Sequence, residues 1–140
     1  APLPFPASRA KPPAMAGLRT DRGRDAWAKG RGAEKLSRLW LRLKGYRILE
    51  KNWRCSSGEI DIIARRGRVL AFIEVKARSN YETAANAITQ RQRQRVFNAA
   101  KAFLAANPDL CSCDLRFDAI LVTPKHPPHH ICDAWREGWS

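Results

Sequence analysis

Four side chains in one short stretch raise a chemical question. In GEIDIIARRGRVLAFIEVKARSN, Gly58 to Asn80, the acids Glu59, Asp61 and Glu74 and the lysine Lys76 interrupt two otherwise apolar runs. Charges inside strands are costly unless they face water, pair with one another or bind something. Glu59 and Asp61 are two residues apart, as are Glu74 and Lys76, so on a strand each pair leaves one face. If the two strands lie side by side, Asp61 and Glu74 approach each other. Two carboxylates at that range repel, more so at low dielectric. A divalent cation removes the repulsion, and oxygen ligands suit Mg²⁺ or Mn²⁺ rather than zinc. Such an ion lowers the pKa of a bound water and acts as a Lewis acid. Lys76 adds a fixed positive charge that can hold an attacking water or stabilise charge on a phosphate. Together these are the parts needed for phosphodiester hydrolysis. The plain alternative is a solvent-facing E-x-K whose cross-strand ion pairs contribute little.

The elements that would position these residues follow from periodicity. GAEKLSRLWLRLKGY places Leu36, Leu39, Trp40 and Leu43 at three- and four-residue steps, which predicts a helix with that apolar face inward and a stop at Gly45. Glu34 lies in its first turn, where a carboxylate suits the positive helix end. YRILEKNWRC reads as a strand and SSGE as a turn. EIDIIA then alternates, with Ile60, Ile62 and Ala64 on one side and Glu59, Asp61 and Ile63 on the other. RRGR is a tight turn, and VLAFIEVKAR is a strand with Phe72, Glu74, Lys76 and Arg78 on one face. The short turn predicts an antiparallel hairpin. SNYETAANAI is mixed, a loop or a short helix. Thr89 caps a helix from Gln90 to Ala106 whose stripe is Val96, Ala99, Ala100, Phe103 and Leu104. DLRFDAILVT is an apolar strand, KHPPHH a turn and ICDAW a short final strand. The expected class is α/β or α+β, one domain over residues 31–140, preceded by a basic Pro-rich arm over residues 1–30.

Composition bounds the partners. The chain has 140 residues and a formal net charge of +13. That charge favours polyanions, nucleic acid or an anionic surface. Arg91, Arg93 and Arg95 decorate the start of the second long helix. No apolar run approaches a membrane span, and the beginning lacks the apolar segment of a signal peptide, so a cytoplasmic location is the default expectation. Cys55, Cys111, Cys113 and Cys132 are then expected as reduced thiols. His126, His129, His130 and Cys132 cluster, but their spacing matches no standard metal site, and a structural or exposed role is expected. The five tryptophans form no obvious platform for stacking single-stranded bases.

The same residues carry a family resemblance. GEIDIIARRGRVLAFIEVKAR, together with RGAEKLSRLWLRLKGYRILEKNWRC and LRFDAILVT, resembles the YraN-like proteins, a bacterial family of unassigned function. The resemblance extends from about Gly32 to Asp133. That family is in turn similar to the Holliday junction resolvases and the restriction-endonuclease-like nucleases, which implies a mixed β-sheet flanked by helices in the order αβββαβ(β). It implies Asp61 and Glu74 as metal-binding acids, the Val75 carbonyl as a backbone metal ligand, Lys76 as the catalytic lysine and Glu34 as an acid supplied by the first helix. The implied cofactor is Mg²⁺ or Mn²⁺. The implied partner is DNA, branched or damaged, gripped through phosphates by Arg78, Arg91, Arg93 and Arg95. A homodimer is implied because resolvase-like nucleases pair their sites. Two departures stand out: Ile60 precedes Asp61 where the broad superfamily often has Pro, and Gln92 stands where family members tend to carry Lys, a charge Arg91 or Arg93 would supply. A non-catalytic nucleic-acid-binding module in a DNA-processing assembly is the alternative reading, because a fold and a site can persist in a protein that only binds.

Overall fold

The computed structural model describes the backbone of residues 21–136 and side chains from residue 32 onward. The elements are α1 (Asp21–Leu43), β1 (Arg47–Cys55), β2 (Gly58–Arg66), β3 (Val69–Ala77), α2 (Tyr81–Asn86), α3 (Gln90–Ala106), a 3₁₀ turn (Pro108–Leu110), β4 (Asp114–Val122) and β5 (His129–Ile131). The strands form one five-stranded sheet in the order β1-β2-β3-β4-β5. β3 and β4 are parallel and the other three neighbouring pairs antiparallel, so the sheet is mixed. The class and element order are those expected from the sequence. No helix among the described residues is long and apolar enough to cross a membrane.

Two apolar layers sandwich the sheet. On one face Trp53, Ile60, Ile63, Leu70 and Phe72 pack against Val96, Ala99, Ala100 and Phe103 of α3. On the other, Ile62, Ala64, Ala71, Ile73, Val75 and Ile120 pack against Ala33 and Leu41 of α1. Thr89 caps α3 as its sequence predicts, and Gln92 closes a capping box by accepting from the Thr89 N–H. Gln92 thus holds the helix start. Gly58, where β2 begins, lies against α3: a Cβ there would stand 1.9 Å from the Arg95 carbonyl oxygen, so only glycine lets the helix sit this close.

Helix α1 departs from expectation in two ways. It reaches back to Asp21, into the segment read as a flexible arm, whose residues 1–20 lie outside the described residues. Gly23, Gly30 and Gly32 lower the local helix propensity and hide that start from pattern reading. The inward face is also not the expected one. Leu36, Leu39 and Leu43 are exposed, and the residues buried on the sheet are Ala33, Ser37 and Leu41. The sheet surface beneath carries Ala64 and Ala71, and a small-residue stripe lets the helix approach closely. The end of α1 is as expected: Gly45, at φ +93, lets the Gly45 N–H reach the Arg42 carbonyl and the Tyr46 N–H reach that of Leu41.

The alternation expected of β2 also breaks. Ile60 packs on the α3 side with Ile63, whereas Ile62 and Ala64 pack on the α1 side. The break falls at Asp61. Opposite it, in the register that pairs Trp53 with Ile60 and Lys51 with Ile62, Asn52 has φ +51. A left-handed residue turns the ribbon locally and frees Asp61 from a simple up-or-down orientation. Finally, β5 falls on His129–Ile131 rather than on ICDAW, because Asp133 takes φ +56 and its N–H bonds the Asp118 carboxylate.

Candidate functional site

The site begins where the β2–β3 ladder ends. Pairing runs from Arg66 and Val69 to Ile62 and Ile73. One further step in that register sets Asp61 opposite Glu74, and there the strands part. The Asp61 side chain takes the place of the missing ladder bond: its Oδ2 accepts from the Val75 N–H at 2.8 Å. A strand residue sends its N–H and C=O to the same neighbour. The Val75 carbonyl therefore faces the β2 side, where β2 has turned away.

Asp61, Glu74, Lys76 and Glu34 come together at this opening. Asp61 and Glu74 lie close enough to act directly on each other's ionisation. Lys76 Nζ lies 3.3 Å from Glu74 Oε2, with both side chains largely buried. Glu34, projecting from α1, hydrogen-bonds Asn52 and feels the Asp61 charge. The rotation of α1 that exposes its leucines is what turns Glu34 toward the sheet. Glu59 points elsewhere, into an ion pair with Arg54 at 3.2 Å.

The electrostatics are those of a site short of positive charge. Burial pushes the Glu74 carboxyl well up, and the neighbouring Asp61 carboxylate pushes it further, against the pull of Lys76. Burial also raises Asp61, opposed by the Val75 N–H. Glu34 is raised to about 7 by burial and then by Asp61. Three acids raised by burial thus surround one lysine, and each carboxyl disfavours ionisation of its neighbour. The donor set fits Mg²⁺ or Mn²⁺: two carboxylates and a backbone carbonyl, all oxygen, whose mutual repulsion a divalent ion would remove.

The four expected phosphate-binding arginines lie just past the end of β3 and on the first turns of α3. Arg78 is exposed just beyond the end of β3, and its guanidinium donates to the Ala77 carbonyl. Arg91 and Arg95 are exposed on the first turns of α3, and Arg93 is half-buried there. Contact of the Arg95 backbone with Gly58 places that end of α3 over the start of β2, three residues before Asp61.

A second acidic cluster was not foreseen. Asp118 of β4 is fully buried. Both its oxygens accept from Arg116, at 2.8 Å each, and it also accepts from the Asp133 N–H and His130 Nε2. Lys44 Nζ lies 2.6 Å from His130 Nδ1. A lysine only donates, so Nδ1 accepts and Nε2 carries the proton given to Asp118. Asp118, His130 and Cys132 present three potential metal-ligand atoms within 4.8 Å of one another. With both Asp118 oxygens and both His130 nitrogens engaged by protein partners, the arrangement is a structural network. The signal was present in the sequence: R-F-D inside an apolar strand is the same kind of interruption as E-V-K. All four cysteines are free thiols.

Comparison with known proteins follows the same boundaries. Residues 33–122 match the model of a family described as uncharacterised protein family UPF0102. The chain belongs to the UPF0102 family. A UPF0102 protein of Paramagnetospirillum magneticum is 50% identical, over 79% of this chain and 89% of its own length. One of Bradyrhizobium sp. is 46% identical, over 94% of this chain and 87% of its own length. One of Parvibaculum lavamentivorans is 46% identical, over 81% and 86%. The matched UPF0102 region contains Glu34, Asp61, Glu74, Val75 and Lys76, and stops before β5 and the loop that precedes it.

Proposed function

We propose that this chain is a metal-dependent endonuclease that hydrolyses DNA phosphodiester bonds, with branched or damaged DNA as its substrate. The observation that carries the reading is the Asp61–Glu74 pair, held at a split between strands with Lys76 against it and with Glu34, Asp61 and Glu74 all raised. Burying two adjacent carboxylates beside one lysine costs stability. An arrangement of that cost is understandable where a cation and a phosphate complete it. The net charge of +13 supports a polyanion partner.

The roles follow from placement. Asp61, Glu74 and the Val75 carbonyl would hold Mg²⁺ or Mn²⁺, which when bound supplies Lewis acidity and activates a water. The Val75 N–H fixes the Asp61 carboxylate, leaving Asp61 Oδ1 for other work. Lys76 is restrained by Glu74 and is placed to orient the attacking water or neutralise charge developing on the phosphate. Glu34, at about 7, can exchange a proton near neutral pH, which suits a group that accepts one from water. Arg78, Arg91, Arg93 and Arg95 would hold phosphates flanking the cut without reading bases. Pairing of two copies would present two such sites for two strands.

The test is incubation of purified protein with branched and linear DNA, and with RNA, in Mg²⁺ or Mn²⁺. Cleavage that is abolished in both Asp61→Ala and Lys76→Ala is expected. Cleavage that survives in both variants belongs to a contaminant. Salt-sensitive binding with no cleavage of any substrate would favour the binding-module reading instead.

A further inference from the structure

A cavity of about 430 Å³ lies beside the carboxylate site, outside the region matched by the UPF0102 model over most of its rim. It is bounded by Asn80, Tyr81, Leu121, His126, Pro127 and His129 among others. Its volume falls within the roughly 300–1,000 Å³ typical of small-molecule sites. Leu121, fully buried, belongs to its wall. In the parallel β3–β4 register Leu121 is the direct partner of Lys76. Register partners on adjacent strands leave the same face of a sheet side by side, about 4.8 Å apart along the hydrogen-bonding direction. The cavity therefore starts one strand away from the lysine placed on the scissile phosphate.

The lining has the chemistry of a base-stacking site. Tyr81 is 49% exposed although it is a large aromatic at the start of α2. Its ring is not loose: His129 packs edge-on against it, centroids 4.9 Å apart at 83°. Pro124, Pro127 and Pro128 add stiff, flat apolar walls. Asn80 uses its side-chain oxygen to cap Thr83, which leaves the amide as a donor. Stiff apolar walls, an exposed ring and polar groups from Ser79, Asn80, Thr123 and His126 at the rim suit a planar heterocycle that carries hydrogen-bonding edges. Arg78, exposed two residues beyond Lys76, lies between the phosphate site and this cavity along the chain. Neither Trp53 nor Trp135 offers such a surface, because both are buried in the core.

We propose that this cavity receives one unpaired nucleobase of a DNA strand whose neighbouring phosphate lies at Lys76, with the base stacked on Tyr81. The proposal rests on the nuclease reading for the placement of that phosphate. It makes the enzyme prefer strands with an unstacked base at the cut, such as a branch point, flap or lesion, over continuous duplex. Aromatic stacking is sequence-tolerant, so the preference is for an unpaired base rather than for a particular one.

The test reads binding without chemistry. The full chain is titrated, in EDTA, with a single-stranded oligonucleotide carrying 2-aminopurine and with an abasic strand of equal length and charge. Wild type is expected to bind the base-containing strand about tenfold more tightly and to quench the 2-aminopurine. Tyr81→Phe should retain both effects. Tyr81→Ala should bind the two strands equally, with its binding of blunt duplex and its unfolding midpoint unchanged. Equal preference in wild type and Tyr81→Ala, or no preference in wild type, overturns the pocket. Cleavage assays separate the two claims. Asp61-dependent cutting without base preference keeps the nuclease and removes the pocket. Base preference without cutting on any substrate removes the nuclease and keeps the base site.

Discussion

Two buried acid clusters on neighbouring strands have opposite electrostatics. Around Asp118 every charge finds a partner: Arg116 gives two hydrogen bonds, His130 one and the Asp133 backbone another. Burial alone would raise Asp118, yet these bonds hold it below the ordinary carboxylate range, and Arg116 is raised in turn, chiefly by its bond to Asp118. Around Asp61 and Glu74 the same burial is not compensated. Their partners are each other, one lysine and one N–H, and both carboxyls are raised. The difference teaches how to tell a structural acid from a functional one. A buried carboxylate with a full set of donors stays ionised, whereas one that shares its donors with a neighbouring carboxyl is pushed toward its neutral form.

The contrast can be broken most directly at Asp118. Asp118→Ala leaves a half-buried guanidinium without its carboxylate and is expected to destabilise the fold by about 3 kcal/mol, read as a drop in the urea midpoint. A loss below ~1 kcal/mol would show that this network is not structural. Mg²⁺ or Mn²⁺ gives the next largest effect. At a hundred times its dissociation constant it should stabilise wild type by roughly 2.7 kcal/mol, a rise in melting temperature absent in Asp61→Ala but retained in Cys132→Ser. A metal-induced rise that requires Cys132 would move the ion to the other cluster.

Glu74→Gln comes third. In metal-free protein at about pH 8 it should leave stability unchanged or raise it on the order of 1 kcal/mol, because a neutral amide spares folding the cost of protonating a carboxyl that the unfolded chain has ionised, while abolishing cleavage. Strong destabilisation would mean that Glu74 is a structural partner of Lys76. The smallest effect is the pH slope. Raised acids bind protons in the folded state that the unfolded state has released, so Glu34, with Asp61 and Glu74, makes metal-free stability fall as pH rises from the ordinary value of 4.5 through about 7. Asp118 has the opposite sign: its contribution is present above its ordinary value of 3.8 and is lost as pH falls through its lower folded value. Urea midpoints from about pH 5 to pH 8 should slope downward in wild type and less steeply in Glu34→Gln, where Asp61 and Glu74 remain raised.

Much of this was legible in the sequence because the signals are local. The E-x-K spacing, the short turn at Gly67 and the Thr89 cap each act within a few residues, and each produced the element expected. The α1 face was not legible. Leu36, Leu39, Trp40 and Leu43 form the more apolar stripe, but the sheet offered Ala64 and Ala71, and only the smaller stripe of Ala33, Ser37 and Leu41 packs closely there. Strict alternation also failed at Asp61, where Asn52 on the adjacent strand turns the ribbon.

The sequence by itself determined the mixed α/β order, the basic charge and the placing of acids and a lysine inside apolar strands, because hydrophobic period and charge are properties of neighbouring residues. Tertiary structure alone decided which acids are paired and which are not. Asp118 and Asp61 look alike in sequence, each an acid in an apolar strand. Their difference comes from Arg116, His130 and Asp133 closing on one, and from β2 parting from β3 at the other. Partners brought from distant positions set the local field, and the field separates a buried acid held ionised by its donors from one left short of them.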